Sequence, residues 1–252
     1  KDAQRSLGAS FNIDWDGSSR FRITSVSSVV DSEIDFSFDA DWGNDDAWSP
    51  VLYDYVSLND RQRMALNREI RFISKEDGRI FNGSTDWILG FYVNKLDEDL
   101  TTINQGEYFD PGFNFSDSLD DQLSSDFAAF STAVFGQLEY PVGEAGKLTL
   151  GARVERREVD YTDSSGLDLR PSENMVGGEL AYSHKITATL IGFASLARGY
   201  KAGGFNLGFV PAGRREFSGE SMWNVEVGLK SSFAGDRLQL SGSVFYSVRD
   251  DQ

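Results

Sequence analysis

The chain has 252 residues, of which 40% are hydrophobic and 25% charged, which excludes a disordered tail and allows one large domain. Its net charge of −16 argues against nucleic acid as a partner, because phosphate binding needs clustered Lys and Arg. With no Cys and one His, His184, neither a disulfide framework nor a thiolate or histidine metal cluster is expected, and no cofactor is implied.

No stretch approaches the roughly 18 consecutive apolar residues of a spanning helix, and KDAQRSLGAS at the start has no apolar run of a signal peptide. A membrane β-barrel stays open, because its alternating signal averages out in hydropathy.

That alternation begins at once. In SLGASFNIDW (6–15), Leu7, Ala9, Phe11, Ile13 and Trp15 share one face, and Ser6, Gly8, Ser10, Asn12 and Asp14 share the other. DGSSR (16–20) turns the chain into a second strand, 20–36, whose alternation is less clean. A long link, 37–60, follows. It carries Asp39, Asp41, Asp45, Asp46, Asp54 and Asp60, with no Lys or Arg between Arg22 and Arg61. Its DADWGNDD (39–46) spaces carboxylates like a calcium loop but lacks the glycine at the sixth position and the late Glu. A solvated acidic surface is the plainer reading.

The third strand, 61–74, sets Leu66, Ile70 and Phe72 against Asn67, Glu69 and Arg71. Arg68 interrupts its apolar row. A place near an interface is expected, since a cation at mid-bilayer costs about 2–4 kcal/mol. EDGRIFNGS (76–84) leads to a fourth strand, 84–99, and then to a second long acidic link, 100–126. That link holds Glu107, Asp110, Asp117, Asp120, Asp121 and Asp126, with no cation between Lys95 and Lys147. Strands 127–140 and 147–161 are joined by VGEAG (142–146). The later one places Arg153, Glu155 and Arg157 opposite Leu150, Ala152 and Val154. After a link at 162–173 come strands 174–184 and 187–200, joined by HKI, the latter alternating poorly. A long link, 201–220, precedes strands 221–233 and 237–249, joined by AGD. In the first of these Val225, Val227, Leu229 and Phe233 oppose Asn224, Glu226, Gly228, Lys230 and Ser232.

About ten strands of 10 to 14 residues result. That exceeds the usual globular strand of about 5 to 6 and suits a tilted bilayer crossing of about 9 to 11. Links alternate short and long, as in an outer-membrane barrel with tight periplasmic turns and long extracellular loops. Trp15, Trp87, Tyr140 and Phe233 lie on the apolar face beside short turns, and Trp223 and Tyr246 lie near the opposite ends. Together they are the candidate membrane girdle. A soluble sandwich would instead turn its apolar face inward. The long links hold aromatics in number, with Tyr55, Phe115 and Phe209 among them. The candidate substrate-facing residues are Trp42, Trp48, Tyr53, Tyr108, Phe109, Phe113, Tyr200, Phe205, Arg214 and Arg215. Packing of long loops over a barrel mouth accounts for the aromatics equally well.

RGYKAGGFN (198–206) is not a phosphate-binding loop: Lys201 precedes the glycine pair, no Ser or Thr follows, and no helix opens. It ends a strand, and Gly203–Gly204 permit the bend. ASLARGYKAGGFN (194–206), then ESMWNVEVGLKSSFAGDRLQLSGSVFYSVRDDQ (220–252), resembles the barrel of TonB-dependent outer-membrane receptors. In that family Y-A-S-Y-S-R-G-Y-K-S-G-G-F-N precedes an E-x-x-x-x-Y-E-x-G-x-K strand and an F-Y-x-x-Y-x-D-Q hairpin. LNREIRFIS (66–74) and FGQLEYPVGEAGKLTLGARVERREVDY (135–161) resemble the family's Q-E-L-R-L and F-G-Q-x-x-Y … L-x-L-x-x-G-x-R-Y segments. The likeness runs through nearly the whole chain.

The resemblance implies an antiparallel up-and-down transmembrane β-barrel in the outer membrane of a Gram-negative bacterium. It implies active import of a scarce nutrient, a ferric siderophore foremost, with energy from the TonB complex through a plug domain. Outer-membrane lipid and lipopolysaccharide would be its surroundings. The chain shows no plug and no N-terminal box, and it ends at Asp250–Asp251–Gln252 without a terminal aromatic. Residues 1–252 are therefore read as an internal part of a larger barrel. Two alternatives differ in class. A passive porin or structural barrel would need no energy. An outer-membrane enzyme would need a nucleophile and base, for which only Ser183–His184 at a tight turn offers itself, and a turn-flanking His is the plainer reading.

Overall fold

The computed structural model describes residues 2–44, 46–207, 210–233, 235 and 237–250, without the side chain of Ala212. Asp45 of the acidic link, Phe209, Ala234 and Asp236 of the AGD turn, and the closing Asp251–Gln252 lie outside the described residues.

Thirteen strands appear among the described residues. They are β1 (Ala3–Trp15), β2 (Phe21–Asp39), β3 (Leu52–Ser74), β4 (Asp86–Asp110), β5 (Phe115–Val142), β6 (Gly146–Asp163), β7 (Asp168–Leu169), β8 (Ser172–Lys185), β9 (Leu190–Lys201), β10 (Gly204–Phe205), β11 (Glu216–Phe217), β12 (Glu220–Phe233) and β13 (Leu238–Asp250). Ten long strands form one antiparallel sheet in the order β1-β2-β3-β4-β5-β6-β8-β9-β12-β13, with β7 laid on β6 and β10 paired with β11 apart from it. The first and last strands do not pair, so the sheet is open.

The ten long strands fall where alternation predicts, but three are much longer than expected. β3, β4 and β5 have 23, 25 and 28 residues. The links expected over 37–60 and 100–126 shrink to 40–51 and 111–114, because the ladder runs on unbroken to Leu52↔Phe109 and Asp110↔Phe115. At about 3.3 Å per residue, β5 is about 90 Å long, far more than a bilayer requires. The surplus forms a tall blade at the long-link end.

Apolar rows point outward. Trp223, Val225, Val227 and Leu229 are 45–57% exposed, while Asn224 and Glu226 between them are half-buried. Likewise Leu150 and Val154 on β6 are exposed and Arg153, Glu155 and Arg157 are half-buried. This is the reverse of a soluble sandwich, where burial follows hydrophobicity. Higher on β6 the pattern inverts. The outward row becomes Arg156, Glu158 and Asp160, while the inward row becomes Val159 and Tyr161, both buried. The outward row is thus apolar below Arg156 and charged above it. The modest core accordingly sits on the inner face of the upper sheet, made by Ala129, Ala133, Val159, Tyr161, Leu169 and Met175.

Arg68 corrects the expectation of an interfacial place. Its register partners are Ser27 and Val93, and it stands in the outward row with Ile70 and Phe72 on one side and Leu66 and Met64 on the other. It is therefore in the middle of the apolar band of β3.

One ladder line crosses nearly the whole sheet. From Trp15 it passes through Ile23, Phe72, Leu89, Gly136, Ala152, Gly178 and Arg198 to Trp223.

Candidate functional site

The inner face carries the polar chemistry. At its centre Arg153 donates from Nε to Glu155 Oε2 (3.0 Å) and to the Tyr200 hydroxyl (2.9 Å) and from Nη2 to Glu155 (2.7 Å), while that hydroxyl donates to Glu155 (2.9 Å). The guanidinium carbon lies 5.0 Å from the centre of the Tyr92 ring and 5.7 Å from that of Phe135. Tyr200 reaches the network although the β9–β12 pairing runs unbroken past it. Ala194 and Leu196, of the same parity, are outward and exposed, yet the Tyr200 ring lies over Gly177, where a Cβ would come within 2.9 Å of it. A second inner group, Arg61, Arg63 and Glu98, pairs two cations with one carboxylate on β3 and β4. Both groups are mixed-sign networks on half-buried side chains, as a wet interior demands.

Toward the long-link end the inner face turns aromatic. Tyr53 meets Trp48 at 5.2 Å, Tyr55 at 4.9 Å and Tyr108 at 6.1 Å between ring centres, and Tyr108 meets Phe115 at 6.0 Å. Tyr53 and Tyr108 are direct ladder partners. Tyr55 lies over Gly106, whose missing Cβ leaves it room. Each such pair contributes about 0.5–1.5 kcal/mol beyond area burial. Acidic groups rim this wall. Asp41 uses both its oxygens on backbone N–H groups, of Tyr55 (2.9 Å) and Gly43 (2.8 Å), and these bonds hold its carboxyl below the usual range, Tyr55 first. The DADWGNDD stretch is thus a backbone clip at Asp41, and no group of three or more potential metal ligands is found among the described residues.

The chain after RGYKAGG folds inward. The Phe205 ring meets Tyr161 (5.0 Å) and Phe127 (6.4 Å between centres) in tilted contacts. Glu173 accepts from Gly203 N–H (2.8 Å) and Gly219 N–H (3.2 Å), pinning both ends of the excursion. A Cβ at Gly203 would run into the Phe217 carbonyl, which is why the bend needs glycine there.

The sequence matches, over residues 1–252, the family model described as TonB dependent receptor-like, beta-barrel. The chain belongs to the TonB-dependent receptor family. Among solved structures it is similar to the ferric yersiniabactin uptake receptor FyuA from Yersinia pestis (17% identity, TM-score 0.72), covering 100% of this chain and 36% of that one. It is also similar to the ferric-catecholate import receptor Fiu from K12 E. coli in its closed form (14%, 0.71, 98% and 41%). A third is the siderophore receptor PiuA from Acinetobacter baumannii (15%, 0.68, 97% and 40%). At such identities the likeness is one of fold. The chain spans about two fifths of the length of these receptors.

Within this receptor barrel the sequence-predicted residues divide. Trp48, Tyr53 and Tyr108 come together on the inner wall, and Tyr200 and Phe205 join it lower down. Phe109 does not, because its ladder position faces outward opposite Leu52. Trp42 and Phe113 are 87% and 85% exposed at loop tips, away from the cluster. Arg214 is exposed, whereas Arg215 donates to the Asn206 and Val210 carbonyls (3.4 and 3.3 Å) and shapes the loop. Of the girdle candidates, Trp15, Tyr140, Trp223, Phe233 and Tyr246 are outward and exposed, while Trp87 donates its indole N–H to the Gly78 carbonyl (2.9 Å). Trp15, Phe21, Phe72 and Phe91 form a continuous aromatic chain, 6.0–6.5 Å between rings, across the outside of β1 to β4. Sequence reasoning did not single out Glu173 or Tyr92. Their roles depend on register between strands, and no local motif announces them.

Proposed function

We propose that this chain is part of the barrel of an outer-membrane receptor that imports a scarce nutrient, a ferric siderophore in the first instance, with TonB-coupled energy. In this reading the short turns face the periplasm. The aromatic wall of Trp48, Tyr53, Tyr55, Tyr108 and Phe115 captures the ligand from outside, and the Arg153–Glu155–Tyr200 network lines the lumen against a plug domain supplied elsewhere in the receptor. Lipopolysaccharide and lipid surround the outward rows, anchored by Trp15, Trp87, Tyr140, Trp223, Phe233 and Tyr246. The supporting observation is the reversed polarity, with Val227 and Leu229 exposed and Glu226 half-buried, in a chain of this family.

The test is expression of the full-length receptor in an iron-starved Gram-negative host. The protein should fractionate with outer membranes and migrate in a heat-modifiable way. Uptake of labelled ferric siderophore should stop on loss of TonB or of the proton gradient. Recovery as a soluble periplasmic monomer would overturn the reading, and energy-independent uptake would favour a passive porin.

A further inference from the structure

The outward row of β3 runs Phe72, Ile70, Arg68, Leu66, Met64, one cation among apolar neighbours. No ion pair or hydrogen bond to its guanidinium is present among the described residues. A charge inside an apolar membrane band is costly unless it finds a partner, and such charges mark sites. The polar spot is wider than this one residue. Ser27 stands across the rung from Arg68, and Ser25 shares its outward row on β2 between Ile23 and Val29. Beside the guanidinium lies a groove of about 400 Å³. Two adjacent rungs of outward side chains wall it, Phe11, Ser27 and Arg68 on one and Ala9, Val29 and Leu66 on the other. It is open because Ser27 and Ala9 are short between longer neighbours. The groove is thus mostly apolar, with a cation at one edge.

We infer that this groove binds a long-chain fatty acid, its carboxylate on Arg68 and its hydrocarbon chain against Phe11, Val29 and Leu66. Charge complementarity selects an acid, and the apolar walls require that the acid carry an apolar tail. The planar guanidinium fits a carboxylate through two N–H groups at once, and the Ser27 hydroxyl across the rung is a further donor. Depth selects a carboxylic acid over a lipid phosphate. Ser74 ends β3 at the short-turn side, and Arg68 lies about 20 Å along the strand from it at about 3.3 Å per residue. A phosphodiester keeps its charge and holds its lipid at the interface. Burial favours the neutral form of a carboxylic acid, so the acid reaches this depth uncharged and ionises only beside the cation. The inference rests on the membrane part of the proposed function, because only lipid keeps water from Arg68.

The test is photolabelling of the purified full-length receptor in phosphatidylcholine vesicles. The probes are palmitic acid carrying a diazirine near its carboxyl end, the matching alcohol, and a phosphatidylglycerol bearing the same group. The acid should label peptides containing Ala9–Phe11, Ser27–Val29 and Leu66 about tenfold or more above the alcohol, the difference expected of a bond to a charged group. Arg68→Leu removes a charge from an apolar row, so it should insert normally and bring the acid down to the level of the alcohol. Arg68→Lys should retain most of the labelling. Ser27→Leu, which leaves the charge and fills the groove, should lose it. Equal labelling of the parent and Arg68→Leu would overturn the proposal, as would stronger labelling by the phosphatidylglycerol than by the acid. A crosslinked dimer that Arg68→Leu abolishes would give the face to a second copy and overturn it as well. Heat-modifiable migration is read on the same samples. An inserted receptor that the acid does not label refutes the site alone, whereas failure to insert refutes it together with the membrane reading.

Discussion

At Arg68 a cation stands in a row otherwise made of Met64, Leu66, Ile70 and Phe72. Its outward neighbours Ser27 and Val93 carry no charge, and no ion pair or hydrogen bond to it is present among the described residues. At the middle of a lipid-facing strand, Arg costs about 2–4 kcal/mol. Arg68→Leu should therefore raise the unfolding free energy of the receptor in phospholipid vesicles by about that amount, read from denaturant titration. Equal midpoints for parent and variant would place the guanidinium out of the hydrocarbon. Residue-scale chemistry on the inner face runs the other way. There Arg153 is held by Glu155, Tyr200 and two aromatic faces, so its removal would strand a carboxylate, whereas removal of Arg68 strands nothing.

The β4–β5 hairpin shows how far an element's two halves can differ. Its lower half exposes Leu89, Phe91 and Val134 on the outward face, while its upper half carries Tyr108 and Phe115 inward. Asp99 and Asp126 face each other across the ladder where the blade has left the band. Replacing residues 100–125 by an Asn-Gly turn closes the hairpin at that rung. The shortened receptor should still insert and remain heat-modifiable, while losing about tenfold or more in siderophore affinity with Tyr108 and Phe115 gone. Unchanged affinity would remove the blade from the capture surface. The same contrast explains what the sequence made legible. The lower strands were readable because lipid on one side and water on the other force strict alternation, as in Leu150, Ala152 and Val154 against Arg153 and Glu155. Residues 100–110 and 115–126 read as loop in the sequence because both faces are polar and Thr101, Asn104, Ser118 and Asp120 carry no two-sided signal. At the tip the turn runs through Asp110–Pro111–Gly112, where the Asp110 carboxylate accepts the Gly112 N–H (2.8 Å). The Glu173 clasp was illegible for another reason. It joins residues 30 and 46 positions apart that only the folded sheet brings together.

As a whole molecule the chain is a curtain with two unfinished edges, β1 and β13. Lipid offers no hydrogen-bond partners to such edges. Residues 1–252 produced alone should fail to become heat-modifiable in detergent, and should do so when the rest of the receptor is supplied. Heat-modifiable behaviour of the isolated chain would mean that ten strands can close on themselves. The ladder line from Trp15 to Trp223 makes the required geometry quantitative. Trp15 sits beside a short turn, but Trp223 lies ten residues up its strand from Phe233 at that same end. The line has thus gained about ten residues of strand in eight crossings, about 4 Å of stagger for each lateral step of about 4.8 Å. That slope corresponds to strands leaning about 40° from the barrel axis, within the range that closed barrels adopt. Walking the line is climbing a spiral ramp. Its sideways length of about 38 Å gains about 25 Å of height, the thickness of the apolar band of such barrels. Two tryptophans on one rung-line thereby come to stand about 25 Å apart in height along the barrel axis.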